Sequence, residues 1–140
     1  MSQANELAKS VVQKMLTDDQ FSKWLGIELL DCKEGYSKIK MTVRGEMVNG
    51  FGIAHGGIAF SLADSAFAFA CNNRNNLSVA LDTSINFIKQ VNVGDLLTAE
   101  ATELHNGKST GLYQIKITNQ KNELVAQFKG VCFRTNKTLV

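Results

Sequence analysis

The sequence predicts an α+β fold in which a curved antiparallel sheet wraps around one long central helix. Three features carry that expectation. Residues 55–72, HGGIAFSLADSAFAFACN, are small and apolar almost all the way round, the mark of a buried helix rather than a surface one. The second half of the chain switches to a period of two with β-branched residues. Proline is absent, so the reversals between these strands must be made by Gly, Asn and Asp.

Taken in order, residues 5–16 place Leu7, Val11, Val12, Met15 and Leu16 at helical spacing, with Lys and Gln between them. Asp18-Asp19 offers a cap for a second short helix over residues 20–25, and Gly26 closes it. Residues 27–32 and 36–43 read as two strands joined by the turn Lys33-Glu34-Gly35. A Gly-containing loop over residues 49–54 leads into the central helix at 55–72. The polar turn 72–76 follows it. Strands are then expected over residues 78–88, 96–105, 110–118 and 124–133, and the Asn106-Gly107-Lys108 connection has the Asn-Gly of a tight hairpin. A helix that is apolar on every side needs cover on every side, and a curved sheet supplies most of it.

With 140 residues, the chain is expected to form a single domain, residues 1–140, with residues 1–25 as an N-terminal helical segment. A formal charge of +2, from 15 Lys+Arg against 13 Asp+Glu, is far from the basic footprint of a nucleic-acid binder. Cys32, Cys71 and Cys132 are widely spaced and the chain has only two histidines, which argues against a disulfide framework and against a metal site. The N-terminal stretch lacks the basic start and apolar run of a secretory signal, and no apolar run approaches a membrane span. With unpaired thiols as well, the cytoplasm is the expected compartment.

The chemistry concentrates on the central helix. Asp64 is its only formally charged residue, among Leu62, Ala63, Ala66 and Phe67, where an ionised carboxylate is costly unless it is paired or used. The helix opens on His55-Gly56-Gly57, which presents backbone N–H groups at a positive helix end with no side chain on Gly56 to obstruct a ligand. Such a donor polarises a carbonyl and holds an oxyanion. Gly56 and Asp64 are eight residues apart, however, which on one helix is about 12 Å. A reacting carbon must lie about 3 Å from both kinds of group. If both act on one substrate, one comes from each of two subunits, and the site implies a homodimer with two equivalent shared sites.

The stretch Asn49-Gly50-Phe51-Gly52-Ile53-Ala54-His55-Gly56-Gly57, followed by Leu62-Ala63-Asp64, resembles the N-x-x-G-x-x-H-G-G…L-x-D signature of hotdog-fold acyl-CoA thioesterases. It is similar in particular to the phenylacetyl-CoA and hydroxyphenylacetyl-CoA thioesterases of phenylacetic acid degradation. Weaker matches continue through residues 67–72, 85–87, 93–99 and 107–111, so that the similarity spans about residues 25–133. The resemblance implies the hotdog fold and hydrolysis of an acyl-CoA to free acid and CoA, with the coenzyme A thioester as substrate and no cofactor. It implies that Asp64 is the nucleophile or the general base directing water, that Gly56 of the partner subunit supplies the oxyanion N–H, and that Asn49 positions substrate or water. His55 falls where the family's helix begins and is read as an organiser of that loop. Gly57 and Thr83 are candidate polar contacts in the same cleft. Lys89, Lys108 and the Gly107 backbone match positions that hold the CoA nucleotide, although this chain has Lys89-Gln90 where related sequences commonly have Arg-Pro, which removes a forked phosphate contact. The family also implies a homotetramer built as a dimer of dimers.

Three other readings stay open at this point. One is a medium-chain acyl-CoA thioesterase, since Phe51, Phe60, Phe67 and Phe69 as pocket walls suit an aromatic ring but are as well explained by the core. Another is a hotdog dehydratase or hydratase, which leans on a His–Asp or His–Glu partnership and has only His55 and His105 to draw on. The third is a non-catalytic acyl-CoA-binding protein, which would not require Asp64.

Overall fold

The computed structural model describes residues 2–140. Helix α1 runs over Gln3–Asp18, longer at both ends than the apolar spacing predicts, because the Ser2 hydroxyl caps its start by accepting from the Asn5 N–H. Helix α2 covers Gln20–Leu25; the Asp19 carboxylate caps it at the Ser22 N–H, and Gly26, at φ +79°, closes it with N–H bonds to the last carbonyls. The strands are β1 (Glu28–Lys33), β2 (Tyr36–Thr42), β3 (Ser78–Phe87), β4 (Leu96–Asn106), β5 (Thr110–Thr118) and β6 (Leu124–Arg134), and the central helix α3 spans Gly56–Asn72. Each lies within two residues of its expected place. A short 3-10 turn at Gly45–Met47 has no counterpart in the sequence reading.

All six strands pair antiparallel in the order β1-β2-β4-β5-β6-β3. Helix α3 carries the chain from β2 across the concave face to the far edge, so β3 precedes β4 in sequence but lies outside β6. The sheet closes on α3 through Ile39, Met41, Leu97, Ala99, Ala101, Ile115, Ile117 and Phe128, all buried, against Leu62, Ala63, Ala66, Phe67 and Ala70. Alanines on that face let the strands approach the helix. The buried Ser37 hydroxyl adds a bond of 2.7 Å to the Ala66 carbonyl.

One expectation is corrected. Helix α3 is not covered on every side: Gly57 is exposed, and Phe60, Ser61, Asp64, Ser65 and Ala68 form a half-buried stripe. The sheet covers only one face, and α2 is bonded to the stripe through the Ser22–Ser65 hydroxyl pair at 3.0 Å. Asp64 lies on the uncovered side, which is why a carboxylate is tolerated there.

The C-terminal end of α3 is held by Arg134, whose side chain is buried and donates to the Cys71 carbonyl, the Ser78 and Tyr113 hydroxyls and Asn106 Oδ1. A guanidinium at a helix C-terminus meets the negative end of its dipole. Four residues earlier on β6, Gly130 admits the Phe67 ring: a Cβ there would lie 2.8 Å from two ring carbons. Gly130→Ala is therefore expected to destabilise the fold by about 1–3 kcal/mol through overpacking. An unchanged urea unfolding midpoint would contradict this packing.

Candidate active site

The start of α3 is built by His55. Its N–H donates to the Met47 carbonyl at 2.8 Å, its carbonyl accepts the Ile58 N–H at 2.9 Å, and its ring Nδ1 accepts the Gly57 N–H at 2.9 Å. The ring is thus a side-chain cap that fixes the proton on Nε2. It satisfies Gly57 and leaves the N–H of Gly56, the first residue of the helix, without a protein acceptor among the described residues. An unpartnered donor at a positive helix end is what an oxyanion requires.

Asn49 approaches from the preceding loop. Its Oδ1 accepts the Phe51 N–H at 2.9 Å in a turn closed by Asn49 N–H to Ile53 carbonyl at 2.8 Å, so its Nδ2 is left to donate. Asn49, His55 and Gly56 line one cavity of about 320 Å³, together with Phe87, Lys89 and an apolar floor of Ile58, Ala59, Val91, Leu97 and Val125. Lys89 is at this cavity but ion-paired with Glu123. The floor residues escaped the sequence reading, because an alternating apolar strand residue shows its face but not the gap it borders. The phenylalanines named as pocket walls are placed elsewhere: Phe51 is 89% exposed in the loop, Phe60 packs edge-on against Phe128, and Phe67 and Phe69 are core.

Asp64 does not line that cavity. It sits two turns further along α3, half-buried, with no hydrogen bond or ion pair to any described residue, and burial pushes its carboxyl above the ordinary value. Thr83 is half-buried on β3 and pairs across the ladder with Gly130, whose missing Cβ points at Phe67, so Thr83 faces α3. Phe87, four residues along the same strand, reaches Gly56. Four strand residues span about 13 Å and eight helix residues about 12 Å, which sets Thr83 roughly level with Asp64.

Gly107 and Lys108 lie in the β4–β5 turn, where the Gly107 N–H donates to the Thr110 carbonyl at 2.8 Å. Arg134 ties this turn to the C-terminal end of α3, a helix length of about 25 Å from Gly56. One chain therefore brings together Asn49, His55, Gly56 and Lys89, sets Asp64 and Thr83 apart from them, and puts Gly107 and Lys108 at the opposite end. Among the described residues no three metal-ligating side chains converge, and no helix is long and apolar enough to cross a membrane.

Comparison with known proteins gives these residues a context. Residues 51–126 match the thioesterase superfamily. The acyl-coenzyme A thioesterase PaaI of Escherichia coli is 43% identical over 125 residues, 89% of each chain. The solved PaaI structure, from the phenylacetic acid degradation operon, covers 96% of this chain and 98% of its own, with a TM-score of 0.94 and 41% identity. A putative esterase of Archaeoglobus fulgidus is 38% identical over 133 residues, 95% of this chain and 86% of that one. A hypothetical thioesterase of Streptococcus pneumoniae solved with coenzyme A is 28% identical, with a TM-score of 0.77 over 80% of this chain and 90% of that chain. The hotdog architecture, the helix that opens on His55-Gly56-Gly57 and the relatives agree: this chain belongs to the thioesterase superfamily of thioester hydrolases.

Proposed function

We propose that this chain hydrolyses acyl-CoA thioesters of the aryl-acetyl class, such as phenylacetyl-CoA or hydroxyphenylacetyl-CoA, at two sites shared across a homodimer. One observation carries the reading. The Gly56 N–H and the Asp64 carboxylate are both without partners among the described residues, yet they sit two turns apart on the same rigid helix, where they cannot serve one carbonyl. In the shared site the substrate carbonyl accepts from Gly56 N–H of one subunit while Asp64 of the other attacks the carbon or activates water. Asn49 donates to substrate or water beside the oxyanion, and Thr83 lies level with the carboxylate. His55 shapes the loop and takes no part in proton transfer.

Strand β3 supports the dimer. It is an edge strand exposing Val79, Leu81 and Phe87, with exposed Ile88 just beyond its end, and an apolar open edge is a pairing surface. Antiparallel pairing of two β3 edges reverses one α3 against the other. That reversal moves the partner's Asp64 toward this Gly56, and the partner's Gly107 and Lys108 toward this Lys89, where they would hold the CoA nucleotide together. Two such dimers make the homotetramer. A single core cluster joins Val12 and Leu25 of the N-terminal helices to α3 and the sheet, which supports residues 1–140 as one domain. Three free, buried cysteines suit a reducing cytoplasm. Hydrolysis needs water and no resident cofactor. Neither histidine is bonded to a carboxylate among the described residues, which disfavours the dehydratase reading.

Release of free thiol from a panel of acyl-CoAs tests the assignment, with phenylacetyl-CoA expected to turn over. Either role of Asp64 needs the carboxylate, and burial raises its pKa. Activity should therefore be complete above that raised pKa and fall as pH drops through it, on an acid limb higher than an ordinary carboxylate's. A profile flat through the acid range would count against Asp64; no thiol release from any acyl-CoA would count against the function.

A further inference from the structure

The cavity beside Gly56 has an aliphatic floor and one aromatic wall. Ile58, Val91, Leu97 and Val125 are core residues whose inner edges form the floor. The wall is Phe87, the only phenyl ring at the cavity among the described residues. Phe87 pairs with the buried Ala126 on β6, so its ring points to the helix side of the sheet. It stands directly over the helix start, since a Cβ on Gly56 would lie 3.2 Å from its ζ carbon. Yet the residue is 60% exposed, so within one chain most of its surface packs against nothing.

We propose that Phe87 is a specificity-determining residue whose ring packs on the aryl group of an arylacetyl thioester. The inference rests on the reading that the Gly56 N–H binds the thioester carbonyl. A carbonyl oxygen held about 2.9 Å from that N–H leaves the acyl α-carbon in the space Phe87 overlooks. An aryl ring one methylene further on then meets the Phe87 ring in the offset or edge-on arrangement that aromatic pairs prefer. The space suffices: a cavity of about 150 Å³ holds benzene, and this one is about 320 Å³. The chemistry of the walls agrees. Among the described residues the only cation at the cavity is Lys89, half-exposed and ion-paired with Glu123, and the floor itself is apolar, so a neutral aryl group fits the floor and a second carboxylate on the acyl group does not.

Phe87 also closes the β3 edge, so a role in the dimer must be separated from a role in recognition. Phe87→Leu keeps an apolar side chain and removes the aromatic face; Phe87→Tyr keeps the face. For each variant, kcat/KM is measured on phenylacetyl-CoA and on octanoyl-CoA, beside the oligomeric state by size-exclusion chromatography. Phe87→Leu is expected to lower the phenylacetyl/octanoyl ratio by about 2- to 12-fold, the size of one aromatic pair, with the assembly unchanged and the ratio restored in Phe87→Tyr. An unchanged ratio in Phe87→Leu overturns the inference while leaving the thioesterase reading intact. Parallel loss on both substrates with dissociation overturns it too, and makes Phe87 an interface residue. Absence of thiol release from either substrate in the unaltered protein takes down the functional reading and the inference with it.

Discussion

Asp64→Asn is expected to lower kcat on the best acyl-CoA substrate by about 10²- to 10⁴-fold, the range that a positioned acid–base group contributes. The substitution is close to isosteric and removes only the charge. Among the described residues Asp64 makes no hydrogen bond or ion pair that folding relies on, and its carboxylate is already disfavoured by burial. Neutralising it should leave the unfolding midpoint unchanged or slightly higher, and substrate binding should persist because the Gly56 N–H and the apolar cavity are untouched. Loss of turnover with retained stability and retained acyl-CoA binding by calorimetry assigns the defect to chemistry. Undiminished turnover in Asp64→Asn would sink the catalytic assignment and favour a structural acid. Wild-type binding without hydrolysis would favour the acyl-CoA-binding reading.

The second large effect is recovery of activity from two inactive parents. Gly56→Val sets a branched side chain against the Phe87 ring, where even a Cβ is at 3.2 Å, and fills the approach to the oxyanion donor. Asp64→Asn removes the carboxylate. If each site takes one group from each subunit, a mixed dimer holds one site with both defects and one with neither. Equal mixing with subunit exchange makes half the dimers mixed, so about a quarter of the unaltered activity should return. If both groups served within one chain, every site would carry one defect and nothing would return. The assay thus reads the geometry directly, because no rearrangement short of breaking α3 brings residues eight positions apart on a helix to a common atom.

Much of this was legible in the linear chain. Periodicity gave the elements because side-chain direction repeats every 3.6 residues in a helix and every two in a strand. The small apolar stretch at residues 55–72 marked the central helix because only such a sequence survives burial beneath a sheet. The separation of Gly56 from Asp64 was legible as well, since helix rise is fixed by the backbone and not by its surroundings. Signature matches named Asn49, His55 and Gly57 and marked His55 as an organiser of its loop, but not which N–H its ring would take.

Tertiary structure decided the rest. That the His55 ring takes the Gly57 N–H and so leaves Gly56 as the unpartnered donor depends on a side-chain rotamer set by the loop, with the His55 backbone anchored on Met47. That Phe87 stands over Gly56, and that Phe51, Phe60, Phe67 and Phe69 do not line the cavity, depends on which strand lies beside which helix turn. Residues far apart in sequence meet there only because α3 carries the chain to the sheet's far edge. That Lys89 and Lys108 lie at opposite ends of α3 follows from the direction of each strand, which composition does not encode. The elements, the helix that bears the chemistry and the distance its two groups must bridge were readable in the linear chain, because these follow from local backbone geometry. The folded structure decided which N–H is left to donate, which ring walls the cavity and which edge stays open, because these follow from packing between distant segments.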